Sequence, residues 1–237
     1  MSKTVLVLDI DGVVCESQEP IRPEMLSKIV KASFKMPVYF CTGNTFTKSM
    51  DMLEWHGMAG IFCLNGHELR DGHGYKLWED VEADPLPRTI TSDIVCRIDK
   101  PLENNSIEWR TPSFVNFCPV GRFATIEQRN AHDASWRSGF IEVMKTLYPN
   151  IELSAGGKVS VDICSNGANK SRAAKYLNDS GYNFIYIGDK TAPGGNDYPI
   201  VEYVKHNDKN LVLTSTGTSH TMSLMDEVLN EQIRTAS

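Results

Sequence analysis

Short apolar runs alternate with amphipathic stretches in the first third of the chain. Three runs of apolar or β-branched residues predict strands that are buried on both faces, at residues 4–8, 37–41 and 61–64. Helical patterns separate them at residues 23–34, with Pro23 in the first turn, and near residues 45–56. This β-α-β-α-β alternation predicts a parallel sheet with right-handed crossovers, and residues 69–77 predict a hairpin that follows it.

The pattern changes after Pro85 and Pro87. An amphipathic stretch near residues 86–97 leads to two strand-like runs, then a helix that ends near Leu147, then two more strand-like runs. These four runs are residues 107–110, 114–118, 151–154 and 158–163. The α-β-β-α-β-β order predicts a small antiparallel sheet with helices on one face.

The alternation of strands and helices resumes after this block. Asn169 is expected to cap a helix that Gly181 ends, because these residue types favour those positions. Strands at 183–187 and 210–213 and helices from about 197 and near 219–231 complete the pattern. We therefore predict an α/β core in two segments, residues 1–82 and 166–237, with residues 83–165 inserted as a second domain, called the cap below.

Charge and composition narrow the class of protein. The net charge is −6 and no Lys/Arg-rich run occurs, so nucleic acid is not an expected partner. No apolar run approaches the roughly 18 residues that span a bilayer, and the N-terminus lacks the pattern of a signal peptide. We therefore expect no membrane partner. The six cysteines are dispersed without a Cys-x-x-Cys pair, which favours a reducing, cytoplasmic location.

Carboxylates follow the first predicted strand and a late one. Asp9 and Asp11 come after residues 4–8, and Asp189 comes after residues 183–187, with Asn196 and Asp197 behind it. Asp-Gly and Asn-Asp pairs also mark turns, but turns alone do not explain apolar strands that end in carboxylates at both ends of the chain. The carboxyl ends of parallel strands meet at one edge of a sheet, so we predict a site there for a hard cation such as Mg²⁺.

These carboxylates fit phosphoryl transfer. One carboxylate can attack phosphorus while the second donates or accepts the proton of the leaving or entering hydroxyl. Attack by an anion on a phosphoryl dianion needs a metal and a cation nearby. Lys170, which opens the helix before the late strand, is the candidate cation, and the Thr42 hydroxyl is a candidate donor to a phosphoryl oxygen.

The order of these residues carries a resemblance to a known superfamily. Asp9-x-Asp11-Gly12, Thr42, Lys170 and the Gly188-Asp189…Asn196-Asp197 string resemble the haloacid dehalogenase (HAD) superfamily of phosphotransferases. The resemblance implies a Rossmann-like parallel-sheet HAD core with an inserted α+β cap domain, an antiparallel sheet with helices on one face. It also implies that Asp9 is the phosphorylated nucleophile, that Asp11 is the general acid/base, and that Asp9, the Asp11 carbonyl and Asp189 hold Mg²⁺. Asn196 and Asp197 would support that metal site.

Longer strings resemble the eukaryotic-type phosphomannomutase family over nearly the whole chain. They are residues 188–197, residues 119–122 with Arg129 seven residues on, and residues 156–162. The resemblance implies a phosphohexomutase, an isomerase of mannose metabolism that interconverts mannose 6-phosphate and mannose 1-phosphate. A hexose bisphosphate would activate it, and a homodimer through the cap is implied.

A mutase must hold a hexose phosphate in two orientations, so its cap must bind the phosphate that is not reacting. Arg110, Arg122 and Arg129 suit this because guanidinium groups bind phosphate oxygens in pairs. Ser160 and Asp162 lie two apart on a predicted strand, so both side chains are expected on one face, where they would bind sugar hydroxyls.

Two other functions stay open. Gln18 stands where the family has a phosphate-binding arginine, which leaves a HAD sugar-phosphate phosphatase with the same nucleophile and metal site as the alternative. A catalytically inactive binding module is the third reading, although the complete set of acidic residues and Lys170 disfavours it. An ATP-dependent kinase is not supported, because no Gly-x-x-x-x-Gly-Lys-[Ser/Thr] string occurs. Mannose and glucose differ at one hydroxyl, and the sequence leaves that choice open.

Overall fold

The computed structural model describes residues 3–17, 19–54, 57–72, 74–77, 85–98, 102 and 105–236. They form two compact units. The core unit comprises Met1–Leu77, Lys170–Pro193 and Asp197–Ser237, and the cap unit comprises Trp78–Asn169 and Gly194–Asn196. The domain bounds drawn from the sequence, 1–82, 83–165 and 166–237, stay a prediction, because compactness alone does not show that a unit folds by itself.

The secondary structure within the described residues follows the alternation in the sequence. The strands are β1 (Lys3–Leu8), β2 (Val38–Cys41), β3 (Gly60–Cys63), β4 (Glu68–Asp71), β5 (Gly74–Leu77), β6 (Ile107–Thr111), β7 (Phe114–Phe117), β8 (Ile151–Ala155), β9 (Val161–Ser165), β10 (Tyr182–Gly188) and β11 (Leu211–Thr214). The helices are α1 (Pro23–Ser33), α2 (Phe46–Leu53), α3 (Ile90–Val95), α4 (Ile126–Ala131), α5 (Trp136–Leu147), α6 (Ser171–Asp179), α7 (Tyr198–Val204) and α8 (Thr218–Ala236). No helix in this part of the chain is long and apolar enough to cross a membrane.

The core unit is built on one sheet in the order β11-β10-β1-β2-β3-β4-β5. The first five of these strands pair in parallel, and β4 and β5 add an antiparallel hairpin at the edge beside β3. Val5 to Leu8 of β1 are each at most 1% exposed, as expected for a strand with neighbours on both sides and helices on both faces. The predicted parallel sheet and hairpin are confirmed.

The chain changes its direction of winding at β1. From β1 it moves through β2 to β3 on one side, and it returns to place β10 and then β11 on the other side. Open α/β sheets bind their ligands at such a reversal, beyond the carboxyl ends of the strands. The residues that follow β1 and β10 therefore lie where a site is expected.

The cap unit is built on an antiparallel sheet in the order β6-β7-β9-β8. Helices α3 and α5 contribute buried residues such as Ile94 and Met144 to one apolar cluster with alternate residues of the strands, among them Val115 and Ile163. Both helices thus cover the same face, and the predicted α+β arrangement is confirmed. The opposite face carries a polar row of directly paired residues, Glu108, Asn116, Asp162 and Ser154.

Local side-chain bonding overturns two details of the predicted elements. The single helix expected before Leu147 is two helices, because the Asp133 carboxylate accepts hydrogen bonds from the backbone N and the hydroxyl of Ser135, at 2.8 and 2.6 Å, and stabilises a turn there. Asn169 does not cap α6. Its amide donates to Glu152, and the N-cap position belongs to Lys170, whose side chain is fully buried.

Candidate active site

Asp9 and Asp189 come from neighbouring strands of the core sheet. The last residue of β1, Leu8, pairs with Ile187, and the Asp9 backbone N donates to the Ile187 carbonyl at 3.0 Å. The loop after Asp9 approaches Asp189 closely at Gly12, which has a φ of +80°, and a Cβ at Gly12 would lie 2.8 Å from Asp189 Oδ2. Glycine is required there both for the left-handed backbone and for the space.

Three carboxylates converge at this point. Asp9, Asp189 and Asp197 each place one oxygen within 4.8 Å of the other two. Burial raises the pKa of Asp9 to about 7, against the pull of the Lys170 ammonium, and the charges of Asp197 and Asp189 add to the rise. A buried cluster with this much negative charge needs positive charge inside it.

Lys170 supplies part of that charge. Its Nζ lies 2.9 Å from Asp9 Oδ1, 2.7 Å from Asp197 Oδ1 and 3.3 Å from the Tyr186 hydroxyl, so the three ammonium protons have three acceptors. Burial disfavours the charged ammonium, but the carboxylates of Asp197 and Asp9 outweigh it and raise the pKa of Lys170 well above its usual value. The ammonium therefore stays charged and points at the candidate nucleophile.

Asp197 holds Lys170 in place. Its Oδ1 accepts from Lys170 and, at 2.6 Å, from the Tyr186 hydroxyl, and its Oδ2 accepts from the Lys190 backbone N at 2.9 Å. Burial opposes ionisation, yet Lys170 and these hydrogen bonds keep the pKa of Asp197 below its usual value. With both oxygens engaged, Asp197 serves the site by orienting Lys170 more than by offering a free ligand atom.

Tyr186 is a member of this network that the sequence did not reveal. Its side chain is 0% exposed, and it lies in the apolar run of β10, where an aromatic residue suggests packing alone. The available signal was Gly188, two residues on. A Cβ at Gly188 would lie 2.5 Å from both Tyr186 Cε1 and Asp197 Oδ2, so only glycine leaves room for the pair.

The donor set suits a hard divalent cation. Asp189 Oδ1 is buried, has no hydrogen-bond partner among the described residues, and lies in the cluster with Asp9. Burial raises the pKa of Asp189, although the Lys190 ammonium, 3.6 Å from its Oδ2, opposes the rise. Carboxylate oxygens without nitrogen or sulfur donors are the ligands that Mg²⁺ prefers. Asn196, expected to support the metal, belongs to the cap unit, and its Oδ1 is also buried without a partner in the described part of the chain.

Asn44 ties Asp11 to the end of β2. Its amide Nδ2 donates to Asp11 Oδ2 at 2.6 Å, and its backbone N donates to the Thr42 hydroxyl at 3.1 Å. Asp11 is half-buried, and its carboxylate is not a member of the three-carboxylate cluster. Asn44 was not singled out from the sequence, although its position directly after Thr42-Gly43 at a strand end was the available signal.

Two of the cap arginines meet at a residue that the sequence reasoning missed. Arg110 Nε and Arg122 Nη1 both donate to Glu108 Oε2, at 3.1 and 2.8 Å. Burial lowers the pKa of Arg122, the neighbouring charge of Arg110 lowers it further, and Glu108 counteracts both. The structure thus brings Arg110 and Arg122 together around one acidic oxygen.

Arg129 is bonded to the loop that carries Arg122. Its Nε donates to the Ala124 carbonyl at 3.1 Å, and its Nη2 donates to the carbonyls of Gly121 and Arg122 at 3.3 and 2.7 Å. Its Nη1 lies 3.5 Å from Cys118 Sγ, and the residue is 8% exposed. The guanidinium therefore fixes the loop at residues 118–124.

Ser160 and Asp162 face the same glycine. A Cβ at Gly156 would lie 2.7 Å from Ser160 Oγ and 3.2 Å from Asp162 Oδ1, so both side chains point toward that loop. Asp162 lies on β9, whereas Ser160 directly precedes that strand, which begins later than the sequence pattern indicates. Asn116 donates its amide to Asp162 Oδ1 at 2.7 Å and is a further polar member of this face.

The chain is similar in sequence to one known family, and it is similar in structure to several solved proteins. The family model of eukaryotic phosphomannomutase matches residues 89–231, a span that contains the cap arginines, Lys170 and Asp189. A probable phosphomannomutase of Caenorhabditis elegans is 25% identical over 256 residues, covering 97% of this chain and 97% of the relative. A phosphomannomutase of Schizosaccharomyces pombe is 26% identical over 219 residues, covering 84% of this chain and 85% of the relative.

Solved structures with the same architecture are more distant in sequence. The sucrose-phosphatase from Synechocystis in complex with sucrose and phosphate has a TM-score of 0.62 and 13% identity, covering 97% of this chain and 98% of that one. A Thermoplasma acidophilum protein has a TM-score of 0.65 and 15% identity, covering 96% of this chain and 98% of that one. At such identities the likeness shows a shared fold alone, that of a HAD core with a cap.

Proposed function

Because this chain belongs to the eukaryotic phosphomannomutase family, we propose that it is a Mg²⁺-dependent phosphomannomutase that interconverts mannose 6-phosphate and mannose 1-phosphate. The observation that carries the proposal is the buried Lys170, which bridges Asp9 and Asp197 next to the unpartnered oxygen of Asp189. Lys170 opposes the rise that burial causes in the pKa of Asp9, and it orients the Asp9 carboxylate, as a buried nucleophile requires.

The core residues divide the chemistry of transfer. A carboxylate oxygen of Asp9 forms a bond to phosphorus as the bond from phosphorus to the sugar oxygen breaks, and Asp11 gives the leaving oxygen its proton. Asn44 holds the Asp11 carboxylate by its 2.6 Å hydrogen bond. In the other half of the cycle Asp11 takes the proton of the other sugar hydroxyl, whose oxygen bonds to phosphorus as the bond from phosphorus to Asp9 breaks. The Thr42 hydroxyl, which accepts from the Asn44 backbone N, donates its own proton to a phosphoryl oxygen.

A metal completes the charge balance. Asp9, the main-chain carbonyl of Asp11 and Asp189 would hold Mg²⁺, with Asn196 and Asp197 in support. When bound, the ion neutralises charge on the phosphoryl group. Lys170 adds the second positive charge at Asp9, and Asp197 keeps it there.

The cap residues bind the rest of the substrate. Arg110 and Arg122 hold the phosphate that is not reacting, and Arg129 fixes the loop that presents Arg122. Ser160 and Asp162 bind sugar hydroxyls. A hexose bisphosphate phosphorylates Asp9 to prime the enzyme, and a homodimer through the cap and a cytoplasmic location complete the proposal.

A sugar-phosphate phosphatase is the second candidate. The observation that favours it is Gln18 at the position of a family arginine, a residue outside the described part of the chain. Weaker binding of the hexose bisphosphate intermediate would allow water to hydrolyse the phospho-aspartate. The same core residues would then act as a hydrolase.

The test is ³¹P NMR of the protein with Mg²⁺ and mannose 1-phosphate, with and without a trace of hexose 1,6-bisphosphate. We expect a mannose 6-phosphate resonance that depends on the bisphosphate. The Asp9→Asn variant should lack it, whereas Asp179→Asn, an exposed acid on α6, should retain it. Growth of inorganic phosphate alone would identify the phosphatase instead, and equal behaviour of the two variants would refute both.

A further inference from the structure

One carboxylate oxygen lies between two arginines of the cap unit. Arg110 Nε and Arg122 Nη1 donate to the same atom, Glu108 Oε2, at 3.1 and 2.8 Å. The side chain of Arg110 is 7% exposed and that of Arg122 is 23% exposed, so both charges are largely removed from water. Two guanidinium groups that converge on one anionic oxygen form the geometry with which arginines bind a phosphoryl oxygen.

The charges explain why an internal anion is favourable when no phosphate is bound. Arg110 and Arg122 repel each other, and Glu108 offsets that repulsion. A phosphate that approaches the pair meets a second anion in the place that its own oxygen would take. Two anions at hydrogen-bond distance repel strongly, so the phosphate binds only as the carboxylate leaves.

Glu108 is able to leave without moving the sheet. Its backbone lies in β6 opposite Asn116, and its side chain belongs to the polar face and is 31% exposed. A rotation about side-chain bonds therefore takes the carboxylate into water. The arginine positions stay defined meanwhile, because Arg110 lies on the same strand and Arg129 fixes the loop of Arg122.

We propose that Glu108 is a built-in competitor for the phosphate position between Arg110 and Arg122. It gives way when the non-reacting phosphate binds, and it returns to hasten departure of that phosphate. This inference rests on the proposed function, in which the cap arginines bind that phosphate. A mutase must release and turn its hexose bisphosphate in every cycle. Without a competing carboxylate, Arg110 and Arg122 would hold the intermediate in one orientation.

The experiment measures the Kd of mannose 1,6-bisphosphate by calorimetry in the presence of Mg²⁺. The parent protein is Asp9→Asn, which cannot accept the phosphoryl group, and it is compared with versions that add Glu108→Gln, Arg122→Gln or Glu142→Gln. Glutamine keeps the size of Glu108 and removes its charge. Glu142 is an exposed acid of α5, on the helix-covered side of the sheet, so its change controls for net charge.

We expect Glu108→Gln to tighten binding about tenfold, Glu142→Gln to change it less than about twofold, and Arg122→Gln to weaken it at least about tenfold. In the protein with Asp9 intact, Glu108→Gln should lower KM and kcat together, because release becomes slow. If Glu108 only held the two arginines in position, Glu108→Gln would instead weaken the binding of the bisphosphate.

The outcomes separate the two proposals. Weaker or unchanged binding in Glu108→Gln, with binding lost in Arg122→Gln, overturns the role of Glu108 and leaves the proposed function standing. Unchanged binding in Arg122→Gln shows that Arg122 does not hold the phosphate, which overturns the role of Glu108 and that part of the proposed function, while the ³¹P NMR test decides whether the protein is a mutase.

Discussion

Replacing Tyr186 with phenylalanine removes one buried oxygen and leaves the ring in place. The hydroxyl donates to Asp197 Oδ1 at 2.6 Å and accepts from Lys170 Nζ at 3.3 Å. Without it, Lys170 keeps two acceptors for three ammonium protons. The variant therefore leaves a charged donor partly unsatisfied where no water reaches it, since Lys170 is 0% exposed.

The magnitude follows from those two hydrogen bonds. A hydrogen bond to a charged group contributes about 1.5–3 kcal/mol, and the 3.3 Å contact contributes less than the 2.6 Å one. We expect the free energy of unfolding to fall by about 2–3 kcal/mol. In a chain of this length that lowers Tm by roughly 4–12 °C. An ammonium less firmly held on Asp9 stabilises the transferring phosphoryl group less, so kcat should fall about tenfold while KM changes less than about twofold.

The assay combines initial rates of mannose 6-phosphate formation with thermal melts. Tyr176→Phe is the matched control, because its hydroxyl donates to the Asp71 carboxylate at 3.3 Å within the same core unit. If Tyr186→Phe lowers Tm but leaves kcat equal to that of the control, the hydroxyl is only structural. Lys170 would then hold its position without Tyr186, and the Tyr186 hydroxyl would have no role in catalysis.

Three further changes test the site from other sides. Asp189→Asn removes one of three crowded carboxylates, so the Tm of the metal-free protein should rise by a few degrees and Mg²⁺ should no longer raise it further. Fluorimetric thermal melts at increasing Mg²⁺ concentration measure both effects. A Tm of the metal-free variant below that of the unaltered protein would contradict the prediction. Gly12→Ala puts a Cβ 2.8 Å from Asp189 Oδ2 at a φ of +80°, and chemical denaturation should show a loss of about 1–3 kcal/mol, with weaker Mg²⁺ binding. Arg129→Gln removes donors to three carbonyls, so amide exchange measured by mass spectrometry should accelerate at residues 118–124, and unchanged exchange would argue against the loop-fixing role.

The fold was predictable where hydrophobic periodicity decides the element. Continuous apolar runs identified the parallel strands, and the α-β-β-α-β-β order of the elements identified the antiparallel sheet of the cap unit. The break between α4 and α5 was not predictable in this way, because it depends on one carboxylate, Asp133, bonding to the next turn. The predicted helix cap at Asn169 was wrong for a similar reason. The Asn169 amide donates to the Glu152 carboxylate, and Lys170, at the N-cap position, pairs with the buried Asp9.

The site was predictable where strand ends bring residues together. Asp9, Asp189 and Lys170 follow from the strand-end rule and from family resemblance, and the structure gathers them at one place. Tyr186 and Glu108 escaped because their use depends on which atoms face them across the fold. A tyrosine in an apolar strand suggests core packing, and a glutamate in an alternating strand suggests a solvated face.

The position of β1 has a consequence for synthesis on the ribosome. β1 lies in the middle of the core sheet, yet one of its two neighbours, β10 (Tyr182–Gly188), is translated only after most of the chain. Until then one edge of β1 exposes unpaired backbone groups beside strongly apolar residues, the form of strand that joins other chains. The nascent protein therefore depends on shielding of this edge, and a chain cut before residue 182 would be both inert and prone to aggregate.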